Sequence, residues 1–409
     1  MNKLTHWLNH PALRKESTLF WTWTASAVLF VAFKLLIGKY NNYKIFVNVF
    51  HHAVDGLPLY MEYPAEYYDV NHYGPFFSLV IAPFTLLPDW LGMTVWVVAN
   101  TVFLFYAIRQ LPLTHNQRIF VYWYSLCELM TAQGMQQYNI SVAAFIILAY
   151  VFIRQKRDFW AAFVILFGTF VKIYPIVGLA FFFFSRRKGR FVLSCLLWAG
   201  VFFVIPMLYT PGADYVVSQY VQWFERLEVK NSLNMFAKSQ NISLLGIVRK
   251  LSGNASYSDL WLIIPGLTLF FIPYLRVAQY KYRRFQLMLL ANVLMFVVLF
   301  STGSEGSGYI SAMIGVALWY VCSPSAHRTY NRRLMIATLI IVGLSSTDLV
   351  PPFIRKNFIV PYVIKAWPCV LVWLTICWEM IRLDFKPKKC LSLHSRTTFN
   401  SSTHDGSRR

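Results

Sequence analysis

The chain has 409 residues and a formal net charge of +21, and 57% of its residues are hydrophobic while only 13% are charged. With a mean hydropathy of +0.47, this composition excludes a soluble domain and indicates an integral membrane protein. The positive charges lie in short clusters between apolar runs, so they indicate membrane topology and contact with membrane lipids, not nucleic acid. The apolar runs recur almost to the end of the chain. We therefore predict one membrane domain over residues 1–385 and a basic, disordered cytoplasmic tail over 386–409.

The N-terminal segment and the cysteines are consistent with this class. The first 17 residues are polar and basic and do not resemble a cleavable signal, so the first apolar run, Thr18–Ile37, is expected to remain as an anchor. Five of the six cysteines lie in or beside apolar runs and the sixth, Cys390, lies in the tail, so no disulfide is expected. The sequence has no metal-binding or nucleotide-binding motif, and we predict no metal ion and no cofactor.

Basic clusters define the expected topology, because cytoplasmic loops carry an excess of Lys and Arg. The clusters predicted to be cytoplasmic are 186–190, 276–284, 328–333 and the residues from 382 onward. Spans are expected between them near 191–208, 259–275, 285–301, 309–322, 334–347 and 363–381. The intervals predicted to lie outside are 38–75, 209–258, 302–308 and 348–362. At roughly 20 residues per span, the chain is predicted to be an all-α polytopic membrane protein of about 10–12 transmembrane helices with a long first extracytoplasmic loop.

Two segments leave the number of spans open. Asp158–Ser185 carries Lys172 and Pro175 near its middle and is interpreted as a hairpin of two short helices, or alternatively as one long kinked span. Tyr73–Gln110 then needs an odd number of crossings, although Pro88 divides it into two helices.

The first outer loop, Gly38–Pro75, concentrates residues that can bind a polar substrate and move a proton. The loop carries four of the 17 acidic residues of the chain, together with several histidines and tyrosines; the acids are Asp55, Glu62, Glu66 and Asp69. Within it, Asn41–Val54 has apolar residues at helical spacing and is expected to lie along the membrane face. The alternative is a solvated loop with an amphipathic helix and no chemical role.

Lys172 is the most informative single residue. It is flanked on both sides by a turn of apolar residues, and a lysine in hydrocarbon costs about 2.5–3.5 kcal/mol, so it is expected to face a cavity and bind an anion such as phosphate. The alternative is that it snorkels to the membrane interface.

Polar segments elsewhere supply further candidates. Gln137 and Asn139 end an amide-rich break that can hydrogen-bond sugar hydroxyls, and Glu128 in the preceding apolar run is either a buried proton carrier or simply paired. Two predicted outer segments contain Gln240, Asn241 and Glu305.

The order of these motifs resembles a known family. An acidic outer loop leads into Tyr73-Gly74-Pro75, a Gln-x-Asn step follows at 137–139, then a Lys-x-x-Pro helix end at 172–175 before an Arg-rich turn, and then Asn-x-Ser-Leu at 241–244. This order is similar to that of the polyprenol-phosphate-mannose-dependent α-mannosyltransferases of glycosyltransferase family 87, which have the GT-C fold. The similarity covers roughly residues 18–309.

The resemblance implies transfer of a hexose, with mannose expected, from a polyprenyl-phosphate donor to a lipid or glycan acceptor. The active site would lie on the outer side of the plasma (cell inner) membrane and a carboxylate of the first outer loop would be the general base. The family places an Asp just after the first span, where this chain reads Asn41-Asn42-Tyr43. We therefore predict Asp69 as the base, with Asp55 as the second choice.

The resemblance also suggests roles for the remaining candidates. Lys172 with His72 would neutralise the phosphate, tyrosines such as Tyr73 would stack on sugar faces, and Gln137 and Asn139 would hold hydroxyls. The other residues expected to bind substrate are Glu66, Gln240, Asn241 and Glu305. A transporter or flippase of a lipid-linked sugar is the alternative, although the sequence lacks the paired repeats typical of transporters.

Overall fold

The computed structural model describes residues 10–325, 328–345, 347 and 350–386, and in these ranges the chain forms helices and no β-strand. The α-helices are, in chain order, α1 (Glu16–Leu36), α2 (Asn41–Val54), α3 (Phe77–Thr85), α4 (Asp89–Arg109), α5 (His115–Gly134), α6 (Asn139–Arg154), α7 (Asp158–Val171), α8 (Lys188–Val204), α9 (Ala213–Asn234), α10 (Leu244–Ser252), α11 (Leu260–Phe271), α12 (Arg283–Leu299), α13 (Tyr309–Cys322), α14 (Thr329–Ser345) and α15 (Trp367–Arg382). A 3₁₀ helix at Tyr174–Phe184 follows α7. The predicted all-α fold is confirmed for the described residues. Of the predicted tail 386–409, residues 387–409, which include Cys390, lie outside the described ranges.

Three helical segments in the described ranges are long and apolar enough to cross a bilayer: Glu16–Leu36, Asp89–Arg109 and Lys188–Leu208. Shorter apolar helices are Asn139–Arg154, Asp158–Val171, Tyr174–Phe184, Leu260–Leu275 and Gly306–Cys322. Each of the six later predicted spans corresponds to a helix, and the helix Tyr309–Cys322 has the predicted limits. The total of 10–12 crossings stays a prediction.

Local sequence signals fit the observed helix limits. The predicted amphipathic helix Asn41–Val54 is confirmed as α2. Pro88 separates α3 from α4 as predicted, and it precedes the first residue of α4, where its fixed φ does not interrupt a helix. At the start of α5, Thr114 and Gln117 form a reciprocal capping box that satisfies free backbone amides.

The segment Asp158–Ser185 folds as a hairpin. A Cβ added to Gly178 would lie 2.8 Å from Ile165, and one added to Gly168 would lie 2.7 Å from Pro175. A continuous helix would separate Ile165 from Gly178 by about 20 Å. The chain therefore reverses at Lys172, and the kinked single span is excluded.

The centre of the molecule is formed by α6, α12 and α13, whose side chains are almost all buried. Helix α13 packs on α12 and α5, and α6 packs on α4 and α7. The polar residues before α6, after α7 and between α12 and α13 meet at one end of this bundle, where Asn139, Lys172 and Ser307 are hydrogen-bonded in one network. This end carries the candidate site.

Candidate functional site

A polar cavity lies where the Lys172 hairpin tip meets the first outer loop. It encloses about 120 Å³. Its walls come from the start of α2, the loop before α3, the loop before α6, the hairpin tip, the C-terminal half of α9 and the loop before α13. The polar side chains that line this polar cavity are Asn42, Asp69, Asn71, His72, Tyr73, Gln137, Lys172, Tyr174, Lys230, Asn234, Gln240 and Glu305.

Lys172 is the first residue after α7 and points its ammonium group into the polar cavity. Its Nζ donates a hydrogen bond to Asn139 Oδ1 at 2.8 Å. The same nitrogen lies 5.1 Å from the ring centre of Tyr73 and 5.5 Å from that of Tyr174, which is within the range of cation–π attraction. An ammonium has three donors, so a ligand in the cavity can use the donors that Asn139 leaves free.

Asn139 is the centre of an amide and hydroxyl network beside the ammonium. Its Nδ2 lies within hydrogen-bond distance of Ser307 Oγ (2.7 Å), Gln137 Oε1 (3.0 Å) and Glu305 Oε1 (3.3 Å). Because Asn139 accepts from Lys172 and donates to Glu305, it holds the ammonium and the carboxylate on the same wall. Such a wall of oriented donors and acceptors suits sugar hydroxyls.

Asp69 sits on a strained turn at the opposite end of the first outer loop from α2. Its φ of 76° is in the left-handed region, which is uncommon for residues other than glycine and tends to occur at functional sites. The turn is held locally, because the Val70 amide donates to Asp69 Oδ1 at 2.8 Å. It is also held from α2, because the Asn41 side chain hydrogen-bonds the backbone of Tyr68.

The charge of Asp69 depends on its neighbours. His72 Nε2 lies 3.8 Å from Asp69 Oδ1, longer than a hydrogen bond but close enough for electrostatic attraction. The neighbouring imidazole, the Val70 amide and the positive charge of Lys230 lower the pKa of Asp69 to about 2, against the opposing effect of burial. Burial lowers the pKa of His72, and the positive charges of Lys230 and Arg226 lower it further, against the opposing effect of Asp69. At neutral pH the pair is therefore an ionised carboxylate beside a neutral imidazole.

The residues after Asp69 are docked onto the hairpin tip. The Gly74 amide donates to the Val171 carbonyl at 3.0 Å, and a Cβ at Gly74 would lie only 2.2 Å from the Phe170 carbonyl oxygen. Only glycine permits this close approach. Tyr73 is then positioned to accept a hydrogen bond from the Tyr138 amide at 3.1 Å while its ring faces Lys172.

The structure brings seven predicted site residues to the polar cavity, and Asn139 reaches the same group through its hydrogen bonds. The seven are Asp69, His72, Tyr73, Gln137, Lys172, Gln240 and Glu305.

Three predicted site residues do not line the polar cavity. Asp55 is exposed at the C-terminal end of α2. Glu66 pairs with His52 instead, with Oε2 2.9 Å from Nε2. Asn241 is buried, and its side chain serves the backbone before α10 by donating to the Met235 carbonyl at 3.1 Å and accepting from Ser243. Residue type alone does not predict the partners of Glu66 and Asn241 or the exposure of Asp55, because these depend on how the chain folds back.

Glu128 also lies away from the polar cavity. It is buried and forms an ion pair with Lys365, with 2.8 Å between Oε2 and Nζ. Of the two interpretations of this residue, pairing is the one observed.

Sequence reasoning missed five polar residues of the cavity: Asn42, Asn71, Tyr174, Lys230 and Asn234. Lys230 and Asn234 are one turn apart on α9 and therefore share a face, with Arg226 a turn earlier. That spacing was the available signal. It identifies a polar face, but only the packing of α9 shows what the face lines.

Two further pockets lie beside the polar cavity, along the 3₁₀ helix. A second pocket of about 520 Å³ shares Ile173 and Tyr174 with the polar cavity. A third, of about 570 Å³, shares Ile176 and Val177 with the second. The third is lined by apolar side chains and Cys195, from the 3₁₀ helix, α8, α11 and α12. The second pocket has a mixed lining that includes Asn231, Asp259 and Thr302. We call the third pocket the apolar groove.

The helical bundle, its apolar spans and the family comparison together define a membrane glycosyltransferase. Residues 71–302 match the sequence profile of glycosyltransferase family 87, and this match covers more than half of the chain. The protein belongs to glycosyltransferase family 87, and the predicted resemblance is confirmed.

The match contains most of the residues around Lys172, whereas Asp69 and Glu305 lie just beyond its two ends. No curated protein matches the chain.

Proposed function

We propose that this membrane glycosyltransferase moves a hexose, with mannose expected, from a polyprenyl-phosphate donor to a lipid or glycan acceptor with inversion at the anomeric carbon. The observation that carries the proposal is the series of three neighbouring pockets that leads from the polar cavity at Lys172, through the second pocket, to the apolar groove. A polyprenyl-phosphate sugar has the same order of parts: a polar sugar, an anionic phosphate and a long hydrocarbon chain.

The donor would lie with its phosphate at Lys172 and its hydrocarbon chain in the apolar groove. The groove walls between the 3₁₀ helix, α8, α11 and α12 are almost entirely hydrocarbon, so burying an isoprenoid chain there gains about 25 cal/mol per Å². The ammonium of Lys172 would stabilise the phosphate as it departs. A water-soluble nucleotide sugar has no part that matches the groove.

Asp69 is the carboxylate proposed as the general base. It would accept the proton of the acceptor hydroxyl while that oxygen bonds to the anomeric carbon, and the electrons of the breaking carbon–oxygen bond would leave with the phosphate on the opposite side. Its ionisation at neutral pH and its place on the cavity wall support this role. The Val70 amide, which donates to Asp69 Oδ1, would hold the carboxylate in position.

The sugar would bind between these two ends. Gln137 and Glu305 line the cavity and are held there by Asn139 and Ser307, so the Gln137 amide and the Glu305 carboxylate are preorganised for hydroxyl groups. Tyr73 offers an aromatic face on the same wall.

The positions of the basic clusters support an active site on the extracytoplasmic side of the plasma membrane. The Arg-rich turn 186–190 follows the 3₁₀ helix at the end away from Lys172. If this turn is cytoplasmic, the hairpin tip and the first outer loop face outward.

The test is transfer by the purified protein in lipid nanodiscs, with radiolabelled polyprenyl-phosphate-mannose, polyprenyl-phosphate-glucose or a nucleotide-linked mannose as donor and a lipid extract as acceptor. We expect label in a new product only from the polyprenyl-phosphate donor, and more from mannose than from glucose. Transfer from the nucleotide sugar would contradict the proposal. Movement of the donor across a vesicle bilayer without any sugar transfer would favour the alternative, a transporter or flippase. The family membership favours the enzyme.

A further inference from the structure

Lys230 brings a second ammonium group to the polar cavity from a different wall. Lys172 stands at the hairpin tip, whereas Lys230 comes from the C-terminal half of α9, and both line the same space. Lys230 has no carboxylate within ion-pair distance among the described residues. Its charge acts on Lys172 as well as on Asp69 and His72.

Helix α9 is fixed where it carries Lys230. Trp223 Nε1 donates a hydrogen bond to the His72 carbonyl at 3.1 Å, and this bond attaches one face of α9 to the first outer loop. Asn231, next to Lys230, accepts a hydrogen bond from Thr302 in the loop before α13. Lys230 itself is half-buried. The ammonium is therefore presented to the cavity by a helix anchored on both sides.

Two ammonium groups that face one cavity repel each other, and an anion between them removes this cost. The proposed reaction creates such an anion. The phosphodiester of the donor carries one negative charge. When the bond from the anomeric carbon to the phosphate oxygen breaks, its electron pair stays on that oxygen. The product is a phosphate monoester with close to two negative charges.

We propose that Lys172 and Lys230 form a two-cation clamp for the leaving phosphate, a role that rests on the proposed function. Lys172 binds the single charge of the donor, and Lys230 stabilises the second charge as it develops. An interaction that is stronger in the transition state than with bound donor raises kcat and leaves KM almost unchanged. The two lysines therefore differ in the kinetic parameter that they control.

The first test compares Lys230→Met and Lys172→Met in steady-state transfer. We expect Lys230→Met to lower kcat by about 10- to 100-fold with little change in the donor KM. Removal of one group that stabilises developing negative charge typically lowers kcat by about 100-fold or more. Lys172→Met is expected to raise the donor KM as well. Lys238→Met, at an exposed lysine beyond α9, is the matched control and should behave as the unchanged protein.

The second test measures binding without turnover, with farnesyl phosphate as a short phosphate monoester and calorimetry as the readout. Lys230→Met should weaken binding about tenfold or more, as expected for a lost charged hydrogen bond, while Lys230→Arg should retain it. Farnesyl phosphate that binds Lys230→Met as tightly as the unchanged protein would overturn the clamp, even if sugar transfer is confirmed. A different result would separate the two proposals. If Lys230→Met loses farnesyl phosphate binding but the unchanged protein transfers no sugar from a polyprenyl-phosphate donor, the clamp is supported and the proposed function is contradicted.

Discussion

The side chain of Asn41 forms two hydrogen bonds with the backbone of Tyr68. Asn41 Nδ2 donates to the Tyr68 carbonyl oxygen at 2.5 Å, and the Tyr68 amide donates to Asn41 Oδ1 at 3.1 Å. Both bonds brace the residue that precedes the strained turn of Asp69. An aspartate at position 41 could accept from the amide but could not donate to the carbonyl. Asn41 therefore supports the turn that carries Asp69, the candidate base, in a way that an aspartate at the same position could not.

Asn41→Asp is expected to loosen the Asp69 turn. One hydrogen bond is lost and two oxygens are brought together, so the free energy of unfolding should fall by about 1 kcal/mol and kcat by up to about tenfold. Thermal unfolding and transfer assays would measure the two effects. Asn48→Asp is the control, because the Asn48 amide donates to the carbonyl of Lys44 in its own helix and not to the Asp69 turn. Restored transfer in a double variant Asn41→Asp with Asp69→Asn would instead place the base at the start of α2.

Asp69→Asn should abolish sugar transfer while donor binding stays nearly unchanged. The amide has no basic form near neutral pH, and removal of a general base costs about 10²- to 10⁴-fold in rate. Asp55→Asn should be much milder, since Asp55 is exposed and does not line the polar cavity. Rates at matched expression decide between them. If both variants are fully active, the first outer loop does not supply the base.

The pH dependence of kcat/KM should show an acid limb well below pH 6. The base acts as a carboxylate, and its pKa is lowered to about 2 chiefly by His72, so activity is lost only as the pH falls toward that value. In His72→Gln the largest cause of the lowering is removed, the pKa of Asp69 rises, and the acid limb moves to higher pH. An acid limb near 6.5 in the unchanged protein would indicate proton transfer to a histidine and contradict Asp69 as the base.

Ala180→Trp should obstruct the apolar groove. Ala180 lies on the 3₁₀ helix and lines the groove, so the larger side chain occupies space proposed for the donor chain. We expect kcat/KM for a long polyprenyl-phosphate donor to fall about tenfold, equivalent to about 1.4 kcal/mol, with less effect on a donor that carries a ten-carbon chain. An equal effect on both donors would mean that the tail binds elsewhere.

A cysteine at Glu62 should react with a membrane-impermeant reagent in intact cells. Glu62 is exposed in the first outer loop, which is predicted to lie outside because the N-terminal segment is basic. Labelling is compared before and after permeabilisation, in a background without the native cysteines. Reaction only after permeabilisation would reverse the predicted orientation.

Much of this protein follows from local sequence. The apolar runs identify a membrane protein, because long hydrocarbon segments are stable only in a bilayer or a buried core. The spacing of apolar residues defines Asn41–Val54, and Pro88 defines the break between α3 and α4, because proline acts on the backbone around it. The order of motifs from Tyr73 to Asn241 also led to the correct family.

Tertiary packing decided the rest. Pro175 is compatible with a kink or a reversal, and the close approach of Gly178 to Ile165 and of Pro175 to Gly168 shows that the chain reverses at Lys172. Acidic residues of one loop look alike in sequence, yet Asp69 faces the polar cavity, Glu66 pairs with His52 and Asp55 stays exposed. Lys230 is recognised as a residue of the polar cavity only from the packing of α9 beside the hairpin tip. These outcomes depend on distances between segments far apart in the chain, which local periodicity and residue type do not encode.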